Sequence, residues 1–210
     1  MPRPFADRAA AGRALGERLA ALGLERPLLI GLARGGVPVA VAAAAVLGDA
    51  EVDVGVARKI TAPGRPEAGL GAVAVDGEPV WFDRALRHAG LTPEALADVV
   101  AAERREAARR EEAYGAGRRT RTAGRDVVLV DDGVATGMTV LAALDAIAAT
   151  GPARLLLGVP VASPPALERL GERADAVVAL LVPADFRAVG DAYDHFGQLT
   201  DDDVRRVLGR

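Results

Sequence analysis

Apolar and polar positions fall into blocks along this chain, and the blocks switch between a helical and a strand period. Residues 6–22 interleave Ala and Leu with Arg and Glu at helical spacing, which predicts an amphipathic helix. Residues 28–32 are a short apolar run and predict a buried strand. The run ends in Ala33, Arg34, Gly35 and Gly36, after which residues 37–47 read as a buried helix. Residues 52–57 predict a second strand, ending at Arg58 and Lys59. Residues 61–72 hold three Gly and two Pro and predict a mobile loop. Residues 73–75 and 79–82 suit a hairpin around Asp76 and Gly77. Thr92 is placed as an N-cap with Pro93 at the first helical position. The helix it opens runs to about Tyr114 and sets Glu106 four residues before Arg110. Residues 115–125 form a basic, Gly-containing turn. A strand at 127–130 is followed by a helix from about Thr136 to Thr150. Residues 154–159 and 176–182 predict two more strands with a helix at 164–171 between them, and residues 201–208 a short last helix.

Strands that alternate with helices predict an α/β fold, a mostly parallel twisted sheet covered by helices on both faces. Ligands of such sheets bind at the carboxyl edge, near a switch in strand order. Residues 33–37, 58–72 and 131–139 fall at such edges. The 210 residues suit one domain, 1–210, with a small appendage. Its core covers about 28–182, residues 1–27 and 183–210 supply hood or terminal elements, and 92–114 is an inserted helix.

Composition narrows the picture. Half of the residues are apolar, enough for a core and against disorder. The net charge of −3 gives no basic face for nucleic acid, and Arg118, Arg119 and Arg121 read as a solvated loop. Cys is absent, which removes disulfides and thiolate chemistry. The richest apolar run, 37–47, is too short to span a bilayer. Asp7 and Glu17 within the first helical pattern argue against a signal or transit peptide, and the expected location is the cytoplasm.

Residues 127–139, VVLVDDGVATGMT, carry the chemistry. An apolar strand runs into the carboxylates of Asp131 and Asp132, then into a short loop and a helix start. The loop and helix start present backbone N–H groups and the positive end of the helix to an anion. Gly133 and Gly137 permit close backbone approach, and Thr136 and Thr139 add hydroxyl donors. Phosphate donors beside two acids suit a sugar phosphate, its hydroxyls facing the acids.

This stretch resembles the motif by which type I phosphoribosyltransferases bind phosphoribosyl pyrophosphate (PRPP): apolar strand, acidic pair, small loop, TG, then Thr or Ser. The resemblance implies that Asp131 and Asp132 bind the ribose hydroxyls. It assigns the 5-phosphate to Gly133, Val134, Ala135, Thr136, Gly137, Met138 and Thr139. It implies transfer of the phosphoribosyl group to a nitrogen acceptor, a nucleobase by family usage, with release of pyrophosphate. Mg²⁺ would be held mainly by PRPP itself. The family often closes a loop over PRPP, and 61–72 stands in that place, with Arg65 a candidate within it. A homodimer is compatible with the resemblance, and neither a membrane nor nucleic acid is implied. The alternative is a non-catalytic PRPP-binding regulator on the same fold. An ordinary nucleotide-binding protein is disfavoured, because neither a GxGxxG nor a Walker sequence is present.

Further residues follow by the same resemblance. Arg34, Gly35 and Gly36 resemble the pyrophosphate loop, which in the family often holds a non-proline cis peptide; a plain turn is the bland reading. Lys59 is the only lysine of the chain and a compact charge suited to phosphate. It and Arg34 are the candidate catalytic cations. Strand alternation makes Arg58 the weaker choice. Phe186, Tyr193 and Phe196 form an aromatic group that suits either stacking on a planar acceptor or a satellite core. The segment 186–196 is similar to the base-holding segment of hypoxanthine-guanine transferases, which makes Phe186 an acceptor contact and Asp194 a metal ligand. Ala135 stands where 6-oxopurine transferases carry an acid, which disfavours guanine and hypoxanthine. His88 and His195 read as surface or packing residues.

Overall fold

The computed structural model describes residues 4–115 and 122–209, so the basic cluster at 118–121 lies outside the described residues. The described chain opens with helix α1 (Arg8–Ala20), strand β1 (Leu28–Leu32), helix α2 (Gly36–Leu47) and strand β2 (Glu51–Gly55). Three strands follow without a helix between them: β3 (Ala57–Ala62), β4 (Arg65–Ala74) and β5 (Val80–Trp81). Helix α3 (Asp83–Ala89), a 3₁₀ turn (Glu94–Leu96) and helix α4 (Ala97–Ala113) come next. Strand β6 (Asp126–Val130) leads to helix α5 (Met138–Ala148), and strand β7 (Arg154–Val161) to helix α6 (Pro164–Gly171). Strand β8 (Ala176–Leu181), a 3₁₀ turn (Val189–Ala192) and helix α7 (Asp201–Val207) end it.

Five strands form a parallel sheet in the order β2-β1-β6-β7-β8. Alternation sorts their side chains onto two cores. Val127 and Leu129 join Ile30, Leu157 and the apolar face of α5 on one side. Val128 and Val130 join Leu29, Leu156 and residues of α1 and α2, such as Leu15 and Val39, on the other. Both faces are thus covered, as the near-continuous apolar runs of β1, β6 and β7 require.

The region between β2 and α4 departs from the sequence reading. The strand expected at 52–57 ends at Gly55, and β3 starts at Ala57 in a separate antiparallel sheet, β3-β4-β5. At the break the Val56 N–H donates to Glu111 Oε1 of α4 at 3.0 Å, which replaces the lost ladder bond. Residues 61–72, expected as a mobile loop, form a hairpin that turns at Gly64 (φ 71°). Gly71 does not serve flexibility: a Cβ there would lie 2.3 Å from the Val80 carbonyl of β5. Helix α3 has no counterpart in the sequence reading. The hairpin around Asp76 and Gly77 does form, as β4 and β5. Thr92 accepts from the Ala95 N–H at 3.3 Å, capping the 3₁₀ turn that precedes α4, and Glu106 receives Arg110 at 2.7 Å. No helix among the described residues is long and apolar enough to cross a membrane.

Candidate functional site

The strand order reverses between β1 and β6, whose following helices leave toward opposite ends of the sheet order. The loops after these two strands meet at the carboxyl edge, where open α/β sheets bind ligands. Their contact leaves no room for side chains. A Cβ on Gly35 would lie 1.9 Å from Asp132 Oδ2, and one on Gly36 would lie 2.2 Å from the Val130 carbonyl oxygen. The structure thus brings Gly35 and Gly36 against Asp131 and Asp132, with Arg34 the residue before them in the loop. The Ala33–Arg34 peptide is cis. The exposed Arg34 guanidinium lies 3.9 Å from Asp201 of α7, whose carboxylate also accepts from the Tyr114 hydroxyl at 2.6 Å. Burial and the Asp201 carboxylate push the Tyr114 hydroxyl up to about 12.

Asp131 and Asp132 are both largely withdrawn from water. Asp131 Oδ1 accepts from the Asp132 N–H at 2.9 Å. Desolvation, then the neighbouring Asp132 charge, raises the Asp131 carboxyl well above the usual carboxylate range. Desolvation raises Asp132 as well, and the Arg8 guanidinium opposes that rise. Arg8, from the first turn of α1, donates through Nε to Asp132 Oδ2 at 2.7 Å. The Tyr193 hydroxyl donates to the Asp132 carbonyl, and burial followed by the Asp132 charge holds that hydroxyl far above its ordinary range.

Residues 134–136 turn their carbonyls toward the protein. The Val134 carbonyl accepts from the Ser163 N–H at 2.9 Å and the Ala135 carbonyl from Ser163 Oγ at 2.6 Å. The Thr136 carbonyl accepts from Arg169 at 2.6 Å. The Leu141 N–H donates to the Gly137 carbonyl at 2.8 Å, and the N–H groups before it belong to the helix start, where intrahelical acceptors are lacking. Gly137 sets this turn, with φ 79° in the left-handed region at the N-cap of α5. Ala135 and Thr136 are exposed, whereas the Met138 side chain is in the core, so only its backbone can face an anion.

Lys59 lies mid-strand in β3 and is exposed. It shares a face with Ala57 and pairs across β4 with Ala72; both belong to the core that contains Val134 and Met138. Arg58 points the other way, and Glu103 of α4 holds it at 2.8 Å. Among the described residues no hydrogen bond or ion pair links Lys59 to either loop. Arg65 begins β4 at the exposed hairpin tip.

The aromatic group divides. Tyr193 and Phe196 pack with Phe5 in a small core, their rings stacked with centroids 4.9 Å apart. Phe186 is half-exposed at the edge of this core and also lines an open cleft of about 540 Å³ with Phe82, Ala135, Thr136, Ser163 and Arg169. Asp194 follows Tyr193 on extended backbone, so the two side chains face opposite ways and Tyr193 is the one that reaches the acidic pair. No three carboxylate or imidazole side chains gather as metal ligands among the described residues. His88 and His195 are exposed. The sequence reading does not single out Arg8, and it holds Tyr193 only as one of three aromatics.

The chain is similar to several known proteins. Over 207 residues it is 42% identical to proteins from two strains of Mycobacterium tuberculosis that are provisionally named phosphoribosyl transferases. The match takes in 98% of this chain but 46% of theirs, so the chain spans about half the length of these relatives. The crystal structure of the TT1426 protein from Thermus thermophilus superposes with a TM-score of 0.77 at 49% identity, covering 97% of both chains. The AQ2163 protein from Aquifex aeolicus, with a TM-score of 0.52 and 16% identity over 83% of this chain and 74% of its own, shares the fold. Residues 6–179 match the phosphoribosyl transferase domain, and the chain belongs to that family.

Proposed function

We propose that this protein transfers the 5-phosphoribosyl group of PRPP to a nitrogen acceptor and releases pyrophosphate. One observation carries the reading: Gly35 of the β1–α2 loop lies directly against Asp132 of the β6–α5 loop, at the switch in strand order. A ligand there would meet the acids and the helix-start amides, with the Arg34 side chain leaving from the same loop as Gly35. The acids suit ribose hydroxyls, and the amides of 135–139 with the Thr136 and Thr139 hydroxyls suit the 5-phosphate, the Val134 N–H being taken by the Val161 carbonyl at 2.8 Å; Arg34 to Gly36 suit the diphosphate. Lys59 would approach that diphosphate from β3.

In the reaction the acceptor nitrogen forms a bond to C1 of the ribose. The C1–O bond breaks, and its electron pair leaves with pyrophosphate. Positive charge grows on the ribose ring as the bond loosens, and the nearby Asp131 and Asp132 carboxylates favour that charge. Arg34 and Lys59 favour the negative charge on the leaving group. Mg²⁺, when bound, would neutralise the diphosphate, and the oxygens of Asp131 and Asp132 at this edge are of the hard type that such an ion accepts. The acceptor fits the cleft between Phe82 and Phe186, where planar rings can stack. Ala135 offers no carboxylate there, which disfavours a 6-oxopurine.

The test is pyrophosphate release from Mg-PRPP against a panel of nucleobases and amines, with PRPP affinity measured by calorimetry. Release with one acceptor class is expected. PRPP binding with no release for any acceptor would favour a PRPP-sensing regulator, and no PRPP binding would reject the site assignment.

A further inference from the structure

We propose that Arg8 of the N-terminal helix is a positioning residue of the site, holding the Asp132 carboxylate where a ribose hydroxyl meets it. The inference rests on the ribose-binding reading of the acidic pair.

Among the described residues the polar and ring contacts of Arg8 all lead to the site or to the segment beneath it. Nε donates to Asp132 Oδ2 at 2.7 Å and Nη1 to the Gly197 carbonyl at 2.9 Å, while the guanidinium carbon stands 3.9 Å from the centre of the Phe196 ring. The pair is shielded: the two side chains are 12% and 14% exposed. Phe196 in turn stacks on Tyr193, whose hydroxyl donates to the Asp132 carbonyl. Asp132 is therefore gripped by α1, by the C-terminal segment and by Gly35.

Arg8 is poorly placed for α1 itself. It is the first residue of the helix, where a cation opposes the helix dipole, and the first turn contains no acid. Asp7 already caps the helix by accepting from the Ala10 N–H at 2.8 Å. Leu15 and Leu19 anchor α1 in the core. The cation at this position is thus explained by Asp132 and not by the helix.

The charged and titratable groups facing Asp132 are Asp131 beside it, Arg8 from α1 and Tyr193 from the C-terminal segment. The contact from the β1–α2 loop is an uncharged glycine. Burial pushes Asp132 toward the neutral acid, and Arg8 resists most, ahead of the Asp132 backbone N–H and the Asp131 side chain. Without Arg8 the pair should hold its protons to higher pH, so ligand binding should fail first on the acid side.

The experiment uses the full chain as wild type, Arg8→Lys and Arg8→Gln. Carboxyl titration of the acidic pair is followed by ¹³C NMR without ligand, and Mg-PRPP affinity by calorimetry at about pH 6 and about pH 8. In Arg8→Gln the titration midpoint should move up, and affinity should fall about tenfold or more at the lower pH and recover largely at the higher. Arg8→Lys should lie between. An equal affinity loss at both pH values with an unmoved titration would mean a purely structural role and overturn the proposal. So would unchanged affinity in both variants. If wild type binds no PRPP, the transferase reading falls, and the carboxyl titration still decides whether Arg8 holds Asp132.

Discussion

Removing the charge from Asp131 should make the ligand-free protein more stable and its complex weaker. The carboxyl is raised above its unfolded value by desolvation and by the Asp132 charge. Between those two values the native state binds more protons than the unfolded chain, so stability falls as pH rises through that window. Above it the cost of the buried charge is fully present, and below the unfolded value it is absent. Asp131→Asn removes the cost and keeps an oxygen for the Asp132 N–H. The variant should melt higher than wild type at about pH 8, by about 2–4 °C per kcal/mol in a chain of this size, with no gain at about pH 3. Its Mg-PRPP affinity should drop tenfold or more, about 1.4 kcal/mol. A melting point at or below wild type at the higher pH would show that the charge is compensated. The acids, Gly35, Gly36 and the 133–139 loop are legible in the sequence because each set is a run of neighbours at a strand-to-helix turn. Arg8 is not: its bond to Asp132 joins positions 124 residues apart, and nothing local separates it from Arg13 or Arg18 on the same helix.

At the scale of elements, the long apolar strands and the helices between them follow from periodicity, and the β3–β4 hairpin does not. Gly and Pro in 61–72 are turn signals in a chain read locally. In the folded protein the close pass of β5 over Gly71 is what requires a residue without a side chain, and a single chain carries no local mark of that neighbour. The consequence falls on Lys59, which is fixed in a ladder and not carried on a loose loop. If it serves the diphosphate, Lys59→Ala should lower pyrophosphate release by about tenfold or more while ribose 5-phosphate, which lacks the leaving group, binds nearly as before. Lys59→Arg should recover only part, because a planar guanidinium does not reproduce a compact ammonium. Equal losses for both ligands would mean that Lys59 supports the sheet, and no loss for either would make it a surface charge.

Across the whole molecule the two edges of the parallel sheet are built on opposite principles. At the carboxyl edge two adjacent acids have one ion-pair partner among the described residues, Arg8, whereas the amino edge gathers charges in matched pairs. Asp126 at the start of β6 accepts from Arg154 Nε at the start of β7 at 2.7 Å and from the Glu25 N–H at 2.8 Å. Arg154 also donates to the Gly23 carbonyl at 3.1 Å, and Arg125 pairs with Glu51 of β2 at 3.2 Å. This network ties the entry to β1 to the starts of β6 and β7. The order of the strands, which creates it, is beyond a local reading of alternating blocks. The Arg154 hydrogen bond, ahead of the Glu25 N–H, depresses the Asp126 carboxyl. Its stabilisation is therefore present above the unfolded pKa and is lost as pH falls through the folded one. Asp126→Asn should melt below wild type at about pH 7, again by about 2–4 °C per kcal/mol, and the two should converge at about pH 2. Mg-PRPP affinity should stay within about twofold of wild type, since the substitution lies at the opposite end of β6 from the acidic pair. Thermal melts across pH together with calorimetry decide the matter. A large affinity loss in Asp126→Asn would mean that the two edges are coupled through β6, and the division between a stabilising edge and a binding edge would not stand.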